Sequence, residues 1–114
     1  MISPRQHSDP RLSQLERILS SEVFASSDRL SRFLRFVVEE TVAGRGGEIK
    51  EYLIGLEVFD KGEEYDPRVD STVRSEAGKL RSRLARYYEN EGATDSVMIT
   101  IPKGSYVPQF EIRP

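Results

Sequence analysis

VRSEAGKLRSRLARYY, Val73 to Tyr88, carries two patterns at once. Val73, Ala77, Leu80, Leu84 and Tyr87 recur at spacings of 4, 3, 4 and 3, one clean apolar stripe of a helix. At about 100° per residue, the opposite side holds Ser71, Arg74, Ser75, Gly78, Lys79, Ser82 and Arg86. Arg81 and Arg83 flank that side. Small residues between long cations let a helix backbone approach another surface closely. Hydroxyls and guanidinium groups bond phosphates, and Arg or Lys reaches guanine edges in a major groove. A solvated face is the plainer explanation. Such faces usually mix signs through i, i+4 Glu–Lys pairs, whereas Glu76 is the only acid in this window. Serine and glycine here also lower helix propensity with no local gain.

The window sums to +4, from Arg74, Lys79, Arg81, Arg83 and Arg86 against Glu76, in a chain of formal charge −2. The remainder therefore carries −6, so a polyanion footprint, if present, is local. A chain of 114 residues with 37% hydrophobic content can bury one core, not two. The absence of cysteine excludes disulfides and thiolate metal sites and fits a reducing compartment. The N-terminus, MISPRQHSDP, is polar, and no apolar run approaches the roughly 20 residues that span a bilayer. A soluble, cytoplasmic domain without membrane contact is expected: a flexible tail over 1–8, then a single domain over 9–114.

Working outward, a first helix starts at the capping residue Asp9 with Pro10 in its first turn, and Leu12, Leu15, Ile18 and Leu19 form its stripe. Phe24 is placed to tuck beneath it. Ser26, Ser27 and Asp28 offer caps for a second helix, whose Leu30, Phe33, Leu34, Val37 and Val38 keep helical spacing. Gly44-Arg45-Gly46-Gly47 ends it, because glycine takes the left-handed cap cheaply. A third helix is expected over 48–59, with Ile49, Tyr52, Leu53 and Leu56 inward. Residues 60–70 (DKGEEYDPRVD) read as a loop, and the window helix starts after it at Asp70 or Ser71 and fades at 90–92. Val97, Ile99 and Ile101 then alternate as a strand. The spacing predicts a tight turn at I-P-K-G, with Pro102 second and Gly104 fourth. Residues 105–112 return as the partner strand, Pro108 confining part of it to an edge. The expected fold is mostly α with a C-terminal β-hairpin: a winged helix-turn-helix with an additional N-terminal helix.

Thr72-Val73-Arg74-Ser75-Glu76-Ala77-Gly78-Lys79-Leu80-Arg81-Ser82-Arg83-Leu84 resembles the recognition helix of OmpR/PhoB-type winged-helix domains, which read T-V-[DE]-x-H-[IV]-x-[RK]-L-R-x-K-L. Thr100 to Tyr106 (TIPKGSY) resembles their closing hairpin, T-V-R-G-x-G-Y. The chain is also similar to bacterial helical–winged domains at the N-termini of larger regulatory proteins. Their patterns recur at Arg29–Glu40, Lys50–Phe59, Tyr65–Asp70 and Pro102–Pro108. The resemblance spans about residues 28–110. It implies sequence-specific binding of double-stranded DNA and transcription regulation, with helix 70–90 in the major groove and the wing 97–110 on the backbone. It puts Lys79 and Arg81 at DNA-contacting positions and Lys103 at the wing tip. Three positions depart from the pattern: Arg74 replaces the usual acid, Glu76 stands where a phosphate-binding histidine is common, and Gly78 removes a side chain. Sequence preference therefore does not carry over.

The groove candidates are Arg74, Ser75, Lys79, Ser82 and Arg86, with Arg81, Arg83 and Lys103 for phosphate. The competing class is a protein-interaction or dimerisation module on the same frame, favoured by the −6 remainder, Glu76 and the acidic loop. Phe36, if it projects from its stripe, marks a homodimer face. The loop 60–70 lacks the spacing of a calcium loop and reads as solvated, with polymerase contact as its functional alternative. His7, the one histidine, reads as a solvated tail residue. Tyr87 and Tyr88 read as packing rather than base stacking. No nucleophile elbow, zinc pattern or phosphate-cradling loop is present, so no enzyme, metal or cofactor is expected.

Overall fold

A computed structural model describes residues 9–114 of the protein. The expected tail 1–8 and His7 lie outside the described residues. Within them the chain is mostly helical and ends in a two-stranded antiparallel hairpin.

Helix α1 (Pro10–Leu19) begins as its sequence dictates: the Asp9 carboxylate accepts from Arg11 N at 2.9 Å, and Pro10 fills the first position. Leu15 and Ile18 are fully buried. A single turn, α2 (Glu22–Ala25), follows and seats the fully buried Phe24. Four residues cannot declare a helical period, which is why the sequence pattern predicts no helix there.

Helix α3 (Asp28–Val42) is the centre of the fold. The Ser27 hydroxyl accepts from Leu30 N at 3.2 Å, and Leu30, Phe33, Leu34, Val37 and Val38 are all buried. It ends in paired bonds, Gly44 N to Thr41 O and Arg45 N to Glu40 O, with Gly44 at φ +87°. That is the Schellman arrangement, in which a left-handed residue lets two orphan carbonyls be satisfied.

Helix α4 (Glu51–Glu57), preceded by a 3-10 turn at Gly46–Glu48, is shorter than the expected 48–59. Its inward set also differs. Ile49 is buried, but Ile54 and Gly55 are the buried residues of α4, Leu53 and Leu56 are half-buried, and Tyr52 is 47% exposed. The cause is the following loop. Tyr65 lays its ring against Gly55, where a Cβ would come within 2.3 Å of the ring, and stacks on Tyr52 at 5.7 Å. This face of α4 is therefore covered by a loop rather than by the core.

Helix α5 (Thr72–Glu89) is capped from one residue further out than usual. Asp70, not Ser71, accepts from Thr72 N (3.0 Å) and Thr72 Oγ1 (2.6 Å), and its other oxygen meets Lys61 Nζ at 2.9 Å. The Thr72 hydroxyl and Lys61 ammonium hold the Asp70 carboxyl well below the ordinary carboxylate range. Val73, Ala77, Leu80, Leu84, Tyr87 and Tyr88 are buried, so both tyrosines pack.

Strands β1 (Val97–Thr100) and β2 (Gln109–Ile112) pair in the register Val97↔Ile112 to Thr100↔Gln109. The partner strand begins at Gln109 rather than at 105. The turn is framed one residue later than expected: Ser105 N donates to Pro102 O at 3.2 Å, which puts Gly104 third, at φ +81°. A positive φ at the third position is what a type II turn requires of glycine. The edge of β1 away from β2 is met by side chains of α5. Tyr88 Oη accepts from Ile99 N at 2.8 Å and donates to Val97 O at 3.0 Å, while Arg81 Nε donates to Ile101 O at 3.0 Å.

Candidate nucleic-acid interface

The exposed side of α5 is the one its sequence marked. A shallow concavity of about 320 Å³ is lined by Ser75, Gly78, Lys79, Ser82, Arg83 and Arg86, so five of the nominated or flanking residues and the glycine meet in one place. Gly78 is not required by the fold: a Cβ there would meet no atom within 4 Å. A mid-helix glycine costs about 1 kcal/mol relative to alanine. It sits on solvent-facing surface, and nothing among the described residues explains it.

The five basic residues of α5 divide into two groups. Arg81 is half-buried and donates to three backbone carbonyls of the hairpin turn: Ile101 O (3.0 Å), Pro102 O (3.2 Å) and Ser105 O (2.9 Å). Its guanidinium holds the turn against α5 rather than facing outward. Arg83 donates to Val23 O at 2.7 Å, fastening α2 to α5. Arg74 meets Glu51 Oε2 at 2.6 Å and Pro67 O at 2.8 Å, which ties α5 to α4 and to the loop 58–71. Glu51 also accepts from the Tyr106 hydroxyl at 3.3 Å. Burial first, and then the Glu51 charge, push the Tyr106 phenol up.

Lys79 and Arg86 form the other group. Arg86 side-chain nitrogens have no hydrogen-bond or ion-pair partner among the described residues, and the same holds for Lys103 at the hairpin tip. Lys79 Nζ lies 3.8 Å from Glu76 Oε1, but Arg29 already holds that oxygen at 2.8 Å. One carboxylate between two cations leaves a positive excess at this edge. Glu76 itself is only 5% exposed and sits where the α5 core stripe meets α3. The acid that the sequence placed against a polyanion thus faces inward and is neutralised. One further acid, the exposed Glu89, ends the helix, about 15 Å along the axis from Lys79 at 1.5 Å per residue.

A second cleft, of about 470 Å³, opens between α4, α5 and the hairpin turn and is lined by Glu51, Arg74, Arg81, Lys103, Gly104, Ser105 and Tyr106. Lys103 thus shares a cleft with Arg74 and Arg81 of α5. Sequence reasoning missed Glu51, the acid that neutralises Arg74. Its place at the start of α4 carries no local signal of a partner 23 residues away.

The hinge between α5 and β1 is a buried polar cluster. The Asp95 carboxylate accepts from Gln14 Nε2 at 2.8 Å and from the Tyr87 hydroxyl, and meets Arg17 at 3.6 Å. Burial would raise the Asp95 pKa, but the bonds from Gln14 and Tyr87 and the nearby Arg17 and Arg113 outweigh it, and the carboxyl lies below its usual range. Burial and the Asp95 bond push the Tyr87 phenol up to about 12. Arg113 donates to Gly92 O and Asp95 O, closing the loop 90–96 over the cluster.

Phe36 is half-buried against the core, and Glu63, Glu64 and Val69 of the loop 60–70 are exposed. Among the described residues, no group of three or more His, Asp or Glu side chains is arranged to hold a metal ion. No helix there is long and apolar enough to cross a membrane. No family model, curated protein or solved structure matches the chain.

Proposed function

We propose that the protein is a winged helix-turn-helix domain of the OmpR/PhoB type that binds double-stranded DNA sequence-specifically and regulates transcription. In this reading α4 and α5 form the helix-turn-helix, α5 enters the major groove and the hairpin is the wing. The observation that carries it is the α5 concavity, where an unneeded glycine lies between Ser75 and Ser82, beside Lys79, which shares one carboxylate with Arg29, and Arg86, whose side chain has no partner among the described residues. Duplex DNA is the partner whose surface rewards that combination: phosphates for Lys103 on the wing, and base edges for Lys79 and Arg86 beside a bare stretch of helix backbone.

The DNA-contacting set narrows to Ser75, Lys79, Ser82, Arg86 and Lys103. Arg74, Arg81 and Arg83 support the reading differently, by fixing the loop 58–71, the wing and α2 against α5. The exposed acids Glu63 and Glu64 remain the natural contact for polymerase that the resemblance implies.

The test is a titration of random-sequence duplex at several salt concentrations. Affinity should fall with salt by about 0.9 log units per tenfold change for each phosphate contacted. Lys103→Ala should flatten that slope by about one contact. Absence of binding at low salt would sink the reading and leave the frame as a protein-interaction module.

A further inference from the structure

Base edges in the major groove differ in what they offer. Guanine presents two acceptors, O6 and N7; adenine an acceptor and a donor; cytosine a donor; thymine an acceptor and a methyl group. A carboxamide suits adenine and a carboxylate suits cytosine, whereas an ammonium or guanidinium, which only donates, suits guanine.

From Ser75 to Arg86 the exposed arc of α5 holds Ser75, Gly78, Lys79, Ser82, Ala85 and Arg86. It contains no carboxamide and no carboxylate. Glu76 is turned inward onto Arg29, and Arg74 is drawn off the arc by Glu51 and Pro67. Apart from two serine hydroxyls, the only polar groups on this arc are the donors of Lys79 and Arg86. Gly78, one residue before Lys79, carries no side chain, and an added Cβ would stand in open space.

Resting on the DNA-binding reading above, we infer that this face reads guanine, with Lys79 donating to O6 and N7 of one guanine and Arg86 to a second. Lys79 and Arg86 are two helical turns apart, about 10 Å along the axis. With α5 lying along the groove, that distance corresponds to about three base-pair steps at roughly 3.4 Å each. The preferred site therefore carries two guanines about three base pairs apart.

The experiment selects bound sequences from a random duplex pool with the whole chain, then measures defined duplexes made from the winner. The expected result is a recurring pair of guanines at that spacing. Replacing the Lys79-facing guanine by 7-deazaguanine, which lacks only the N7 acceptor, should weaken binding about tenfold, while inosine, altered in the minor groove, should leave it unchanged. Lys79→Ala, an exposed change whose fold is checked by circular dichroism, should bind the guanine and 7-deazaguanine duplexes alike. Tight, salt-dependent binding with no guanine in the selected sites, or with 7-deazaguanine tolerated by the unaltered protein, overturns the guanine assignment and leaves DNA binding standing. Failure to bind any duplex at low salt overturns both.

Discussion

On the DNA-binding proposal, replacing Gly78 by alanine should stabilise the protein and weaken binding to DNA. The residue lies inside an 18-residue helix, at helical backbone geometry, and an added Cβ meets no atom within 4 Å. The only folded-state effect left is propensity, about 1 kcal/mol in favour of alanine. For a domain of this size that is a rise in melting temperature of about 4 °C. Gly55→Ala is the matched control. It makes the same chemical change in a helix, but its Cβ would lie 2.3 Å from the Tyr65 ring. Overpacking of that kind costs about 1–3 kcal/mol, so the melting temperature should fall. Thermal unfolding by circular dichroism measures both, and the DNA titration tests the proposed contact. Gly78→Ala should bind about tenfold more weakly, because a methyl group holds the helix off the groove. A Gly78→Ala protein that is more stable and binds as tightly as the original would show that the glycine makes no close approach. One that is less stable would show that the position is crowded in the folded protein.

Two other outcomes follow from the same geometry. Glu51→Gln removes the carboxylate 2.6 Å from Arg74 while keeping a side chain that accepts from Tyr106. Arg74 then loses its counter-charge and keeps only the Pro67 carbonyl as partner, so on the DNA-binding proposal affinity should rise several-fold at low salt and the salt slope should steepen by about one contact. Stability should change by less than about 1 kcal/mol, as for other solvent-accessible ion pairs; an unchanged slope argues that Arg74 lies off the DNA path. The second concerns alkaline pH. Tyr87 is 3% exposed and its phenol is raised from 10.0 to about 12, so its contribution is complete below pH 10 and is lost as pH rises towards 12. The loss should be on the order of 2–3 kcal/mol, visible as a falling denaturation midpoint that tracks tyrosinate absorbance. Tyr87→Phe should be less stable at neutral pH, with Asp95 left short of a donor, and should show a flatter decline above pH 10.

Much of the helical frame was legible because its signals are local. Ser27 as a cap, Gly44 as a left-handed stop and the Leu30–Val38 stripe each act within two turns of chain, and each is found where the pattern puts it. The exposed side of α5 was legible for the same reason, since the stripe behind it defines what is left in front. Elements that depend on distant partners were not. The short α2 exists because Phe24 has a place to go, and the face that α4 buries at Gly55 is set by a loop ring laid on it. The turn frame differs by one residue from the pattern, and Arg81 binds carbonyls at both of its ends.

The sequence by itself determined that α5 has two faces and that cations crowd one of them, because side-chain identity and a 3.6-residue period are properties of the strip alone. It could not determine which cations are available, since five basic side chains of similar reach look alike until their partners are assembled. The tertiary structure made that division. Carbonyls of the turn take Arg81, Val23 O takes Arg83 and Glu51 takes Arg74. Lys79 and Arg86 are left facing outward on either side of Ser82, beside a glycine that the fold does not require.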